Sequence, residues 1–172
     1  ENADGFAIAE HDLRLRGETV VAFDLKLGSE AGNALRAHAA RHGVGLAASH
    51  ADAMRGAELV VSAVTASQAV PVAQACAPTI GRGAFFLDFN SASPGAKIGA
   101  AKTINAAGGR YVEGAVMTSI PPYRIQVPLL LGGPDAAALE PVLNGLGFAP
   151  KVASETPSRI MRAPFRLNPH PA

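Results

Sequence analysis

A chain of 172 residues that is 48% hydrophobic, 5% aromatic and free of Trp holds enough apolar material for one domain with a sizeable core. Its formal charge of +1, without a Lys/Arg cluster interleaved with aromatics, argues against a dedicated nucleic-acid surface. A lone cysteine, Cys76, excludes an internal disulfide, and no apolar run reaches the roughly 18 residues a bilayer span requires. The opening "ENADGFAIAEHD" carries acids and no basic-then-apolar leader pattern, so a soluble, cytoplasmic domain is expected.

In chain order, "GFAIAE" reads as part of a first helix, where a doubly wound sheet would open with a strand. "TVVAFDL" (19–25) is a β-branched and apolar run of the kind buried on both faces of a parallel sheet. Ser29 is placed to cap the helix "SEAGNALRAHAARHG", in which Leu35 and Ala39 share a face and Gly43 supplies the stop. "VGLAAS" is a weak strand, "HADAMRGA" a short helix and "ELVVSAV" (58–64) a buried strand. A helix follows from about Ser67 to Ala77, with Pro71 near its start, and then the strand "AFFLDFN" (84–90). Ser93 as N-cap and Pro94 at the first position open the helix "SPGAKIGAAKTINAAGG".

To this point the alternation predicts right-handed βαβ units on a parallel sheet. The rhythm then shifts. "RYVEGAV" (110–116) and "VPLLLGG" (127–133) are joined by a Pro-rich loop too short for a helical crossover, which predicts antiparallel neighbours. "PDAAALEPVLNGLG" is one more helix and "APKVAS" an edge strand. The expected fold is thus α/β, a Rossmann-like doubly wound and mostly parallel sheet, its first strand missing and its C-terminal strands antiparallel. Residues 1–155 form one such domain, and the basic, Pro-rich stretch 156–172 is expected to be a disordered tail.

In such sheets ligands meet the carboxyl ends of the strands, so the residues there are the candidates. Asp24 ends the first visible strand, where a carboxylate accepts both hydroxyls of an adenosine ribose and repels a 2′-phosphate, favouring NAD; Lys26 beside it leaves NADP open. Gly5 fits the third position of a glycine-rich phosphate turn whose first two glycines are not in the chain, so alone it reads as a loop glycine. Thr65 and Ser67 follow the strand at 58–64 and read first as helix caps, second as contacts to a cofactor.

In "DFNSASP", Ser93 as cap and Asp88 as turn former leave Asn90 and Ser91 unexplained, which favours an anion or carboxylate site. The loop "MTSIPPYRIQ" holds Thr118, Ser119 and Arg124; the arginine suits a bidentate carboxylate clamp, although an unpartnered loop arginine is commoner. His38 and His42, at i and i+4, lack a third ligand and read as a solvated helix face, so no metal is expected. Cys76, in an apolar helix with no basic neighbour, reads as an inert buried thiol.

On these residues the chain resembles the β-hydroxyacid dehydrogenase superfamily, more narrowly the cofactor-binding domain of 6-phosphogluconate and 3-hydroxyisobutyrate dehydrogenase-like proteins. The resemblance runs from about Gly5 to Thr156 through "ETVVAFD", "ELVVSAVTASQA", "FLDFNSASPGAK" and "YVEGAVMTSIPPYRIQVPLLLGGP". It implies hydride transfer between a nicotinamide cofactor, NAD or NADP, and a small 3-hydroxyacid. Asp24 would hold the adenosine ribose, with Lys26 close by and Gly5 in the phosphate turn. Ala63, Val64 and Thr65 would line the cofactor. Asn90 and Ser91 would meet nicotinamide and substrate, with Thr118 and Ser119 opposite, in place of the family's glycine-rich stretch.

The family's catalytic lysine and helical second domain, which makes its dimer, should follow "SETP". The chain instead reads "SRIMRAPFRLNPHPA", with no lysine after Lys151. A guanidinium cannot replace it, because it stays protonated. The expectation is therefore an oxidoreductase module truncated at both ends and inactive by itself. The alternative is a non-catalytic nucleotide-binding or interaction remnant. A different enzyme on the same sheet, such as a methyltransferase, leaves "DFNSASP" and "PPYRIQVPLLLGG" unexplained.

Overall fold

The computed structural model describes residues 10–156. Gly5, most of the stretch read as a first helix, and the expected tail from residue 157 onward lie outside the described residues. Helix α1 is described over 10–15.

Strand β1 (Val21–Ala22) is shorter than the "TVVAFDL" run predicts. Asp24 ends it by accepting the Lys26 amide at 2.7 Å, which folds Leu25–Gly28 into a 3₁₀ turn. The capping expected of Ser29 does not form. Its hydroxyl donates to the Lys26 carbonyl at 2.9 Å, and a second 3₁₀ turn (Glu30–Gly32) precedes helix α2 (Asn33–His42). Gly43 closes α2 at φ 67°, the left-handed conformation that favours glycine.

The chain continues through β2 (Gly45–Leu46), α3 (His50–Met54), β3 (Leu59–Ser62) and α4 (Ala69–Cys76), then β4 (Phe85–Asp88) and α5 (Pro94–Ala106). Ser93 caps α5 as predicted, its Oγ accepting the Ala96 amide at 3.3 Å. Strand β5 (Arg110–Val116) leads through a one-turn α6 (Ile120–Tyr123) to β6 (Pro128–Gly132), α7 (Ala136–Gly145) and β7 (Ala149–Ser154). Pro141 sits inside α7 at the cost of one backbone hydrogen bond, in a helix anchored by the fully buried Leu139 and Leu143.

Strands β3, β4 and β5 are parallel, β6 runs antiparallel to β5, and β7 pairs parallel to β6 at the edge. The antiparallel pair and the edge strand follow the sequence reading. The sheet is not continuous, however. Among the described residues β1 pairs only with β2, and β3 has β4 as its one neighbour, so no described strand occupies the outer edge of either.

Both faces of the larger sheet are buried. Phe86 and Tyr111 face α4 and α5 with Ala73, Cys76, Ala100 and Ile104. Leu87 and Val112, their chain neighbours, face α7 on the opposite side with Leu129, Leu131, Leu139 and Leu143. This period-2 division is what makes the central strands apolar throughout.

Candidate functional site at the carboxyl ends of the strands

The register of β3, β4 and β5 sets the geometry. Ser62 pairs with Asp88 and Asp88 with Glu113, so the residues just beyond all three leave the same edge of the sheet. Thr65 and Ser67 follow β3, Asn90 and Ser91 follow β4, and Thr118 and Ser119 follow β5. Thr65, Ser67, Ser91, Thr118 and Ser119 are exposed, while Ala63 and Val64 are half-buried beside them. Neither Thr65 nor Ser119 caps the turn it precedes, contrary to the capping expected of Thr65. The Thr65 and Ser67 hydroxyls instead lie 3.3 Å from each other.

Asn90 behaves differently from its exposed neighbours. Its carboxamide is turned into the protein: Oδ1 accepts the Val64 amide at 2.5 Å, and Nδ2 donates to Ser62 Oγ at 2.9 Å. The residue is 2% exposed. The structure therefore gives Asn90 to the seam between β3 and β4, and leaves Ser91 as the exposed residue of that pair.

Beneath the edge lies a cluster that the sequence reading missed. Asp88, wholly buried, accepts the Asn90 amide on Oδ1 at 2.8 Å and the Tyr111 hydroxyl on Oδ2 at 2.6 Å. Lys97 Nζ sits 3.2 Å from Oδ1 and donates to the Asp88 carbonyl at 3.0 Å. Burial pushes the Tyr111 phenol up from its ordinary value, and the Asp88 charge beside it adds to the shift. A signal for Lys97 was present in the sequence. It shares the helical spacing of Ala100, Ala101 and Ile104, the buried face of α5.

Two candidates are engaged close to home. Asp24 is half-buried and spends one oxygen on the Lys26 amide, while Lys26 extends into solvent without an ion pair among the described residues. Arg124 has a partner after all. Its Nε lies 3.2 Å from each Asp12 oxygen and its Nη2 2.5 Å from Oδ1, and Asp12 also accepts the Ile125 amide at 3.3 Å. Burial works against ionisation of Asp12, but these hydrogen bonds and the Arg124 charge outweigh it and hold its carboxyl below the ordinary range. The carboxylate-binding fork expected of Arg124 is thus taken by a carboxylate of the protein itself.

Asp12, Leu15, Arg16, Tyr123, Arg124, Ile125 and Gln126 line a cleft of about 390 Å³, and neither Asn90 nor Ser91 contributes to it. Arg124 is the one described non-glycine residue at positive φ, at φ 52° and ψ −131°. Such a conformation costs a side chain about 1–3 kcal/mol. Arg124→Gly is accordingly expected to be more stable than Arg124→Ala by about 1 kcal/mol, because both lose the Asp12 pair and only glycine relieves the backbone. Paired urea melts of the two variants check this, and an Ala variant at least as stable as the Gly one would refute it.

The histidines are less solvated than expected. His11 of α1 packs on His42 at 4.3 Å between ring centroids, and His42 on His38 at 4.5 Å. No group of three or more His, Cys, Asp or Glu among the described residues is arranged to hold a metal ion. Cys76 is buried, and burial pushes its thiol up to about 11, as an inert cysteine requires. No described helix is long and apolar enough to cross a membrane.

No protein-family profile and no curated protein matches the sequence. Solved structures do match. A conserved hypothetical protein from Sinorhizobium meliloti 1021 is 36% identical with a TM-score of 0.83, over 92% of this chain and 52% of that one. The Mycobacterium tuberculosis 3-hydroxyisobutyrate dehydrogenase with L-serine superposes at 0.77 and 17% identity, over 91% and 53%. A conserved protein of unknown function, described as structurally similar to 3-hydroxyacid dehydrogenases, reaches 0.74 at 24% identity, over 88% and 54%.

The chain has the Rossmann-like α/β fold of these solved structures. An imine reductase from Myxococcus stipitatus, solved in complex with NADP+, shares this fold at a TM-score of 0.67 and 20% identity, over 87% and 51%. The chain spans about half the length of each of these structures. Within this fold, the edge carrying Thr65, Ser91 and Thr118 is the carboxyl-terminal edge of the central parallel strands, where open α/β sheets take their ligands.

Proposed function

We propose that this chain is the nicotinamide-cofactor half of an NAD(P)-dependent oxidoreductase that acts on a small hydroxyacid. The observation that supports it best is the row of exposed hydroxyls, Thr65, Ser67, Ser91, Thr118 and Ser119, on adjacent strand ends at the ligand edge of this fold. These hydroxyls fit a polar nucleotide, which needs donors and acceptors at close range, and Ala63 and Val64, half-buried beside them, fit its apolar surfaces. Asp24 fits the adenosine ribose, since its second carboxylate oxygen makes no hydrogen bond among the described residues.

The cofactor, when bound, supplies or accepts the hydride. The chain's own residues bind and orient it, and Ser91, Thr118 and Ser119 face the substrate side. None of the described groups on this edge suits proton transfer. Lys97 is sealed under Asp88, and Arg124, held by Asp12, stays protonated. Catalysis by the purified chain alone is therefore not part of this reading.

NAD is the preferred form, because a carboxylate at Asp24 repels a 2′-phosphate. Calorimetric titration is expected to show NADH binding more tightly than NADPH. Asp24→Ala should weaken NADH by about tenfold, the worth of a charge-assisted hydrogen bond, and should narrow the difference between the two. No heat of binding with either cofactor at millimolar concentration would sink the proposal and favour a non-catalytic remnant.

A further inference from the structure

We propose that the buried Asp88–Lys97–Tyr111 cluster is a positioning device for Asn90, and that Asn90 in turn shapes the Ser62–Thr65 turn for a nucleotide. The first half stands on the geometry alone, and the second rests on the cofactor reading above.

The β3–β4 ladder ends at the Ser62–Asp88 pair, with the Phe89 amide donating to the Ser62 carbonyl at 2.9 Å. Beyond that pair no described strand holds the backbone of the turn after β3. The Val64 amide is held instead by a side chain, the Asn90 carboxamide, which also grips Ser62. A carboxamide can rotate, so its aim has to be fixed by something else. Asp88 does this by accepting the Asn90 amide and so fixing the backbone from which the carboxamide projects.

Asp88 is fixed in turn by donors from two further elements, Tyr111 of β5 and Lys97 of α5. The arrangement thus runs from a helix and two strands, through one carboxylate, to the turn that lies nearest the exposed row. Asp88, Lys97, Tyr111 and Asn90 are each at most 3% exposed, so none of them is available to a ligand directly. A hydrophobic isostere would fill the same space without removing an ion pair from water. What the charged version adds is direction, since hydrogen bonds constrain angle where apolar contacts do not.

Amide hydrogen exchange on the whole chain tests the device. Val64 and Asn90 report the turn, whereas Phe85 and Arg110, bonded to the Glu58 and Ala84 carbonyls, report the opposite ends of β4 and β5. In Tyr111→Phe, which removes one hydroxyl and leaves the ring, exchange at Val64 and Asn90 should rise by about tenfold with Phe85 and Arg110 unchanged. One common factor at all four amides would mean that the cluster merely stabilises the fold, and an unchanged Val64 would mean that Asn90 is held without it. Either result overturns the proposal.

NADH titration of Tyr111→Phe should weaken in step with the change at Val64. If exchange responds as stated while the native chain binds no NADH, the cofactor reading falls and the positioning role of the cluster stands.

Discussion

Lys97→Met is expected to destabilise the fold by about 3–5 kcal/mol, the largest loss of any single substitution considered for this chain. The methionine nearly matches the lysine in length and fills the same space among Ala100, Ala101 and Ile104. The loss therefore comes from the charge left behind rather than from a cavity. Asp88 would keep its hydrogen bonds from Tyr111 and the Asn90 amide but would have no cation within the wholly buried site. A chain of this size should lose on the order of 10 °C in melting temperature.

Adding Asp88→Asn to Lys97→Met should recover part of that loss, since a neutral amide leaves no ion unpaired. Urea melts of the two single variants and the double complete the cycle. A Lys97→Met loss below about 1 kcal/mol would place the pair among weak surface ion pairs, contrary to its burial.

The second expectation concerns Gly114 of β5. A Cβ built there lies 2.5 Å from Phe89 Cε1 and 2.6 Å from Cδ1, with Leu87 Cδ1 at 3.0 Å. The Phe89 amide is tied to the Ser62 carbonyl, so its backbone is fixed and only the half-buried ring can move to make room. Gly114→Ala is therefore expected to cost about 1–3 kcal/mol through overpacking, more than the small gain in chain stiffness returns. Its effect should extend to the candidate site, seen as perturbed amide resonances of Asn90 and Val64. Gly99→Ala, which meets open space within α5, is the control and should be neutral or stabilising. Equal stability of the two variants would show that the Phe89 ring yields readily.

The sequence carried the order of elements further than it carried their ends. The alternation of apolar runs and capped helices placed β3, β4, β5 and α7 within two residues at each end and α5 within three, because burial on both faces writes itself into composition. The antiparallel turn of β6 followed from a loop too short to cross over. Local polar competition marks where the reading failed. Asp24 halts β1 after two residues, and Ser29 bonds backward to Lys26 instead of capping α2. Both outcomes turn on which of several nearby backbone groups a short side chain reaches, which periodicity does not record.

What the sequence by itself determined is the class of fold and the edge at which to look: polar residues after apolar strands, and an N-cap followed by proline. Only the tertiary structure decided which of those polar residues face outward. Asn90 and Ser91 are adjacent and equally polar, yet one braces β3 and the other is exposed. Arg124 and Asp12, far apart in the chain, turn out to be partners, and Lys97 lies under the edge rather than on the surface. The reason is physical. A buried polar group must find partners, and those partners come from whichever strands and helices the topology brings alongside, at sequence separations that no local pattern encodes.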